Sequence, residues 1–204
     1  MSISFDFSGK SVLVTGASSG IGFAVAQGFA KAGADLTILS STDKIFDAIK
    51  NFPSNVKAIK CDISKAEIVT KSLRHIKKLD ILVNNAGLER PTPLTGENQN
   101  GNSVFERIVA INIIGTQNVT DTLVNRISEG GRIILTSSIW AKMAVPGFSA
   151  YTASKHANVG LMRTWAKELG SRRICVNAVC PGWIKTTPAM LSLKNLAEKN
   201  NKTE

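Results

Sequence analysis

The chain has 204 residues, which is enough for one domain with a proper hydrophobic core. Hydrophobic residues at 43% and charged residues at 20% exclude a disordered chain, and no apolar run is long enough to cross a bilayer. The net charge is +10, but the basic residues are scattered without a long run, so we expect no nucleic-acid partner.

Short β-branched runs alternate with longer amphipathic segments along the chain. Strands are predicted at residues 11–16, 35–40, 56–62, 79–87, 131–138 and 173–182. Helices are predicted at residues 20–33, 43–50, 65–77, 103–127 and 151–170. Apolar strands separated by helices indicate an α/β fold, a doubly wound parallel sheet of the Rossmann type with three αβα layers. We expect residues 1–204 to form a single domain.

A glycine-rich stretch, "TGASSGIG" at residues 15–22, joins the first predicted strand to the first helix. In this context such a turn indicates dinucleotide binding, because the amides at a helix N-terminus hold phosphates. One glycine permits a tight turn, the second leaves room for a pyrophosphate, and the third lets the helix pack closely on the sheet. The turn residues expected at the cofactor are Gly16, Ser18, Gly20, Ile21 and Gly22.

The end of the second predicted strand carries the residues that would distinguish NAD from NADP. Ser40, Ser41 and Thr42 stand there, with Asp43 beyond them. There is neither a carboxylate for the ribose hydroxyls of NAD nor an arginine for the 2′-phosphate of NADP. Asp43 can equally begin the next helix. Ser40 is assigned to the cofactor site, and the choice between NAD and NADP stays open.

The stretch "SAYTASKHA" at residues 149–157 places Tyr151 and Lys155 four residues apart. On a helix these positions share one face, and a neighbouring cation favours a phenolate and lowers the tyrosine pKa. The pair is therefore a candidate acid/base unit, although two ordinary helix residues would have the same spacing.

Seven stretches in order along the chain resemble the short-chain dehydrogenase/reductase family, and most closely its bacterial 3-oxoacyl-carrier-protein-reductase-like members. They are "TGASSGIG" (15–22), "CDIS" (61–64), "NNAG" (84–87), "INIIGT" (111–116), "ILTSS" (134–138), "YTASK" (151–155) and "VNAVCPGWIKT" (176–186). The resemblance implies hydride transfer between NAD(P)(H) and a small or medium carbonyl compound or secondary alcohol. A non-catalytic dinucleotide-binding regulatory protein is the alternative, since it would keep the glycine turn.

The resemblance also implies residue roles. Tyr151 would be the catalytic acid/base, and Lys155 would lower its pKa and bind the nicotinamide ribose. Ser138 would position the substrate oxygen, and Asn112 would hold a water in a proton relay. Further cofactor contacts are implied at the adenine (Asp62, Ile63), the ribose (Asn85, Ala86, Gly87) and the nicotinamide (Pro181, Gly182, Ile184, Thr186).

Apolar residues at 140–148 and 183–193 suggest a medium-sized, partly apolar substrate. Glu89 and Arg90 in the preceding loop would either add polar selectivity or be solvated. Relative to the family, the C-terminal strand and helix are absent, and residues 188–204 would begin the substrate loop or form a mobile tail. We expect the natural protein to continue past Glu204, with a natural fragment as the alternative, and we expect a full-length chain to form a homodimer or homotetramer.

The N-terminus and the cysteines indicate the compartment. "MSISFDFSGKSVLV" has no export-signal pattern, and Cys61, Cys175 and Cys180 lack the spacing of metal ligands. We expect small buried cysteines in a reducing compartment. The sequence therefore predicts a cytoplasmic protein with a small-molecule substrate, no metal site and no membrane association.

Overall fold

The computed structural model describes residues 4–95 and 101–186, together with 189–190, 193–194 and 197. The strands are β1 (Ser11–Thr15), β2 (Asp35–Ser40), β3 (Lys57–Lys60), β4 (Leu79–Asn84), β5 (Ile127–Thr136) and β6 (Cys175–Val179). The α-helices are α1 (Gly20–Lys31), α2 (Lys44–Ala48), α3 (Ala66–Leu73), α4 (Gly101–Val109), α5 (Thr116–Leu123) and α6 (Ser149–Glu168). A π-helical turn, Ala110–Gly115, joins α4 to α5.

The six strands form one parallel sheet in the order β3-β2-β1-β4-β5-β6. Residues of β1 alternate between two hydrophobic cores, because neighbouring side chains of a strand point to opposite faces. Leu13 joins a core that includes residues of α3, α5 and α6. Val12 and Val14 join the core beneath α1 and α2. Both faces are covered, which confirms the three-layer Rossmann-type architecture.

The strand order places one site at the carboxyl edge of the sheet. After β1 the chain moves outward through β2 and β3, and it then returns to place β4 on the other side of β1. Such a reversal opens a crevice beyond the carboxyl ends of the two central strands, where open α/β sheets bind ligands. Residues that follow β1, β4 and β5 therefore meet there.

Several predicted boundaries are wrong. The helix predicted at 103–127 ends at Leu123, and β5 begins at 127 rather than 131 because its pairing with β4 includes a register shift. The strands predicted at 79–87 and 173–182 are shorter, and Ser138 lies two residues beyond the end of β5. The tail predicted at 188–204 lies largely outside the described residues.

Of the cysteines, only Cys61 is buried, whereas Cys175 is exposed and Cys180 is partly exposed. Cys175 begins β6, which lies at one end of the strand order, and alternate side chains of this strand face solvent.

Within the described ranges, no helix is long and apolar enough to span a membrane. The same residues contain no metal-binding arrangement of histidine, cysteine and acidic side chains.

Candidate active site

The turn between β1 and α1 has the conformation that glycine permits. Gly16 and Gly20 have φ angles of +66° and +60°, in the region that other residues rarely occupy. A Cβ atom on Gly22 would lie 2.4 Å from the carbonyl oxygen of Gly16, so the first turn of α1 can approach β1 only because residue 22 lacks a side chain. The N-cap Ser19 makes no side-chain cap hydrogen bond. The first-turn amides of α1 can therefore bind an anion, which fits the pyrophosphate of a dinucleotide.

A hydrogen-bond network joins this turn to the end of β4. The Thr15 hydroxyl accepts hydrogen bonds from the amides of Asn85 (2.9 Å) and Ala86 (3.0 Å). The Asn85 side-chain amide donates to the carbonyl oxygens of Thr15 (3.1 Å) and Gly16 (3.3 Å). Sequence reasoning did not assign Thr15 a role, although it is the first residue of the glycine-rich stretch.

A cleft of about 440 Å³ follows the carboxyl edge of the sheet, within the usual range for ligand sites of about 300–1,000 Å³. The predicted cofactor residues that line it are Gly16, Ser18, Gly20, Ile21, Ser40, Asp62, Ile63, Asn85, Ala86, Gly87, Lys155, Pro181, Gly182 and Thr186. Two predicted residues do not line it. Gly22 packs behind the turn, and Ile184 lines a neighbouring pocket.

The end of the cleft beside β2 and β3 is polar. The hydroxyl oxygens of Ser18 and Ser40 are 3.0 Å apart. Asp62 accepts hydrogen bonds from Ser64 and from the Arg107 guanidinium, with an Nη2–Oδ2 distance of 2.8 Å. Burial alone would raise the pKa of Asp62, but the bonds from Ser64 and Arg107 together lower it. Arg107 therefore offsets the negative charge that Asp62 brings to this part of the cleft. No sequence pattern indicated this pairing, because the two residues are 45 positions apart.

Tyr151 and Lys155 lie on the first two turns of α6, on the face that borders the cleft. The Lys155 ammonium nitrogen is 5.3 Å from the centre of the Tyr151 ring. It donates a 2.8 Å hydrogen bond to the Thr136 carbonyl oxygen at the end of β5. The four-residue spacing in the sequence therefore places the phenol and the ammonium group next to each other in the structure.

Ser138 begins a short 3₁₀ turn after β5. Its hydroxyl oxygen accepts a 3.2 Å hydrogen bond from the amide of Trp140. Ser138 also acts on the Tyr151 phenol, whose pKa it lowers, and both residues line the cleft. The two hydroxyl groups therefore meet at the wall of the cleft. This is the relation expected of two groups that bind one substrate oxygen.

Burial dominates the titration of both α6 residues. It raises the pKa of Tyr151 to about 12, an effect that the Ser138 hydrogen bond reduces and the negative charge of Glu89 increases. Burial lowers the pKa of Lys155 to about 8. The prediction that Lys155 lowers the Tyr151 pKa is therefore wrong for this structure, because loss of solvent around the phenolate raises that pKa and Lys155 is not among the groups that lower it.

Asn112 lies in the π-helical turn and is 1% exposed. Its side-chain amide bonds to both backbone groups of Leu88, at 2.7 and 3.0 Å, and to the Ser154 hydroxyl at 2.9 Å. It does not line the cleft, but a Cβ atom on Gly87 would be 3.4 Å from its side-chain oxygen and 3.5 Å from the Lys155 ammonium. Asn112 thus connects the segment after β4 to α6 close to Lys155.

The site and the sheet define a dinucleotide-binding α/β protein, and comparison with known proteins identifies the class. The family model described as short chain dehydrogenase matches residues 10–197, and the chain belongs to this family. The chain is 37% identical to the hydroxynaphthalene reductase-like protein Arp2 of Metarhizium brunneum, over 87% of this chain and 69% of that protein. It is 35% identical to the oxidoreductase UcpA of Salmonella typhimurium, over 95% of this chain and 74% of that protein.

Two solved structures also resemble the chain. One is 3-ketoacyl-(acyl-carrier-protein) reductase from Brucella melitensis complexed with NADH, with a TM-score of 0.81 and 30% identity over 91% of this chain and 80% of that chain. The other is a dehydrogenase/reductase from Sinorhizobium meliloti 1021, with a TM-score of 0.77 and 31% identity over 89% and 75%. The protein is thus an NAD(P)-dependent oxidoreductase that acts on a CH–OH or C=O group. A purely regulatory dinucleotide-binding role is set aside.

Proposed function

We propose that the protein interconverts a small or medium carbonyl compound and its secondary alcohol, with Tyr151 as the acid/base. One observation carries this proposal. The hydroxyl groups of Ser138 and Tyr151 and the ammonium group of Lys155 border the same cleft as the glycine-rich turn. A bound nicotinamide would supply or accept the hydride in that cleft.

In the reduction, negative charge develops on the carbonyl oxygen of the substrate, where hydroxyl groups of the protein can stabilise it. Ser138 and Tyr151 would each donate a hydrogen bond that strengthens as this charge develops. Because its pKa is raised to about 12, the Tyr151 phenol retains its proton at neutral pH and can donate it to the oxygen. Oxidation of the alcohol would run the same proton transfer in reverse.

Lys155 would stabilise the phenolate that remains after the proton has left. Its ammonium group is close to the ring, and one of its three N–H donors is used by the Thr136 carbonyl oxygen. The remaining N–H donors are available to a nicotinamide ribose. Asn112 would keep the Gly87 segment beside Lys155 and contribute to the proton relay, through the bonds that it makes to Leu88 and Ser154.

We also propose that NAD and NADP both bind. The described residues that line the cleft at the end of β2 are Leu39, Ser40 and Ser41, which include neither a carboxylate nor a guanidinium, and Asp62 after β3 is paired with Arg107. A carboxylate would repel the 2′-phosphate of NADP, and a guanidinium would attract it. The nearby Lys60 is already paired with Asp43 at 2.8 Å. We therefore expect NADH and NADPH to bind with affinities within about tenfold of each other.

The test is a panel of ketones and alcohols assayed with both cofactors, using wild-type protein and Tyr151→Phe. The substitution removes only the phenolic hydroxyl group, and with it the proton that the phenol donates. We expect turnover to fall by a factor of about 10² or more, with cofactor binding unchanged. Thr152→Val is the matched control, because it removes the neighbouring hydroxyl group, which makes no hydrogen bond to any described residue. A Tyr151→Phe protein with the wild-type rate would refute the role of Tyr151.

A further inference from the structure

A second pocket, of about 150 Å³, adjoins the cleft on the outer side of Tyr151 and Ser138. Glu89, Ser138 and Tyr151 line both spaces, so a ligand in the pocket would reach the hydroxyl groups that bind the reacting oxygen. A cavity of about 150 Å³ holds benzene in a well-studied protein. The pocket therefore has room for one six-membered ring.

The walls of this pocket are aromatic. The Trp140 ring stands edge-on to Tyr151, with a centroid distance of 5.4 Å and an interplanar angle of 88°. It stands edge-on to Trp183 as well, at 6.4 Å and 77°. Phe148 packs against Trp140 at 5.0 Å and holds it in place. Rings arranged at right angles offer faces and edges to a flat ligand ring.

Glu89 is the one charged side chain among the described residues that line the pocket. It is half-buried, and its charge acts on the Tyr151 phenol. A carboxylate has about four lone-pair sites, so that beside its existing contacts Glu89 can also accept a hydrogen bond from a ligand placed between it and the tryptophans. A neutral donor, a hydroxyl group, fits these conditions.

We propose that this pocket selects ketones whose carbonyl group is attached to a six-membered ring, and that Glu89 accepts a hydrogen bond from a hydroxyl group on that ring. This rests on the function proposed above, because it assumes that the carbonyl oxygen lies at Ser138 and Tyr151. Trp140 and Trp183 bind the ring, and Glu89 determines which substituent the ring carries. Glu89 is thus a specificity-determining residue.

The experiment compares 3-hydroxyacetophenone with 3-methoxyacetophenone, in which a methyl group replaces the hydroxyl hydrogen that would form the hydrogen bond to Glu89. A hydrogen bond to a charged group predicts a preference for the hydroxyl ketone of about tenfold or more in kcat/KM. Glu89→Gln should reduce this preference to about threefold or less, because only the hydroxyl ketone loses a hydrogen bond to a charged group. Glu106→Gln is the matched control, because Glu106 is exposed on α4 away from the pocket.

Equal kcat/KM values for the two ketones in wild-type protein would overturn the inference and leave the proposed function standing. A preference that survives Glu89→Gln would overturn it too. The two ketones are bound without turnover in one further case, whether or not other carbonyl compounds are reduced. Titration calorimetry with the same ketones then tests the inference by their binding affinities. Tighter binding of the hydroxyl ketone that is lost in Glu89→Gln supports the inference, and equal binding overturns it.

Discussion

The ammonium group of Lys155 is buried, and burial disfavours its charged form. Lys155 is 3% exposed, and its ammonium group has the Thr136 carbonyl oxygen as a hydrogen-bond acceptor. Burial lowers its pKa to about 8, whereas burial raises that of Tyr151 to about 12. The two groups that we propose handle the proton are therefore both shifted toward their neutral forms. Such opposed shifts in one cleft are typical of functional sites.

The Lys155 shift predicts how stability depends on pH. Between pH 8 and 10.5 the unfolded chain binds the Lys155 proton more tightly than the folded protein does. The free energy of unfolding should therefore rise with pH in this window, by up to about 3 kcal/mol. Lys155→Met should remove most of this rise, as measured by urea unfolding at a series of pH values. An equally steep rise in Lys155→Met would show that other groups cause it.

The sequence predicted most of the residues that line the cleft but not their environment. The four-residue spacing predicted that Tyr151 and Lys155 share a helix face, because that depends only on helix geometry. The direction of the Tyr151 pKa shift was wrong, because burial depends on chain segments far away in sequence. The pairing of Arg107 with Asp62 and the position of Glu89 beside Tyr151 were missed or left open for the same reason.

At the scale of elements, α1 packs tightly against the turn after β1 near its N-terminus, whereas there is space around Gly28 nearer its C-terminus. Gly22 is in tight contact, since an added Cβ atom would lie 2.3 Å from the Asn85 side-chain nitrogen and 2.4 Å from the Gly16 carbonyl oxygen. For Gly28 in the same helix, such a Cβ would have no atom of the described residues within 4 Å. The glycine pattern predicted the close packing at Gly22 correctly. The start of β5 was missed, because its register shift depends on the pairing with β4.

These two glycines predict opposite effects of the same substitution. Gly22→Ala must displace backbone and should lower the free energy of unfolding by about 1–3 kcal/mol. Gly28→Ala should raise it by about 0.4–1 kcal/mol, because alanine restricts the unfolded chain and meets no obstacle in the helix. Denaturant unfolding of the two variants measures both changes. Changes of the same sign would contradict the packing described for α1.

At the scale of the whole molecule, strand order brings distant segments to one edge of the sheet. The turn after β1, the segment after β4 and the residues after β5 meet in one cleft. The alternation of strands and helices predicted this sheet, since parallel strands joined by helices allow few arrangements. The homo-oligomer and the cytoplasmic location stay predictions.

The most direct test of the central claim follows a hydride label into the product. A ketone that is a substrate is reduced with NADH or NADPH deuterated at either position of nicotinamide C4, and the alcohol is examined by mass spectrometry. We predict that one of the two labelled forms places deuterium on the carbinol carbon, and that Tyr151→Phe slows this transfer by a factor of about 10² or more. Alcohol formed without deuterium from both forms, or labelled at the wild-type rate by Tyr151→Phe, would contradict the account.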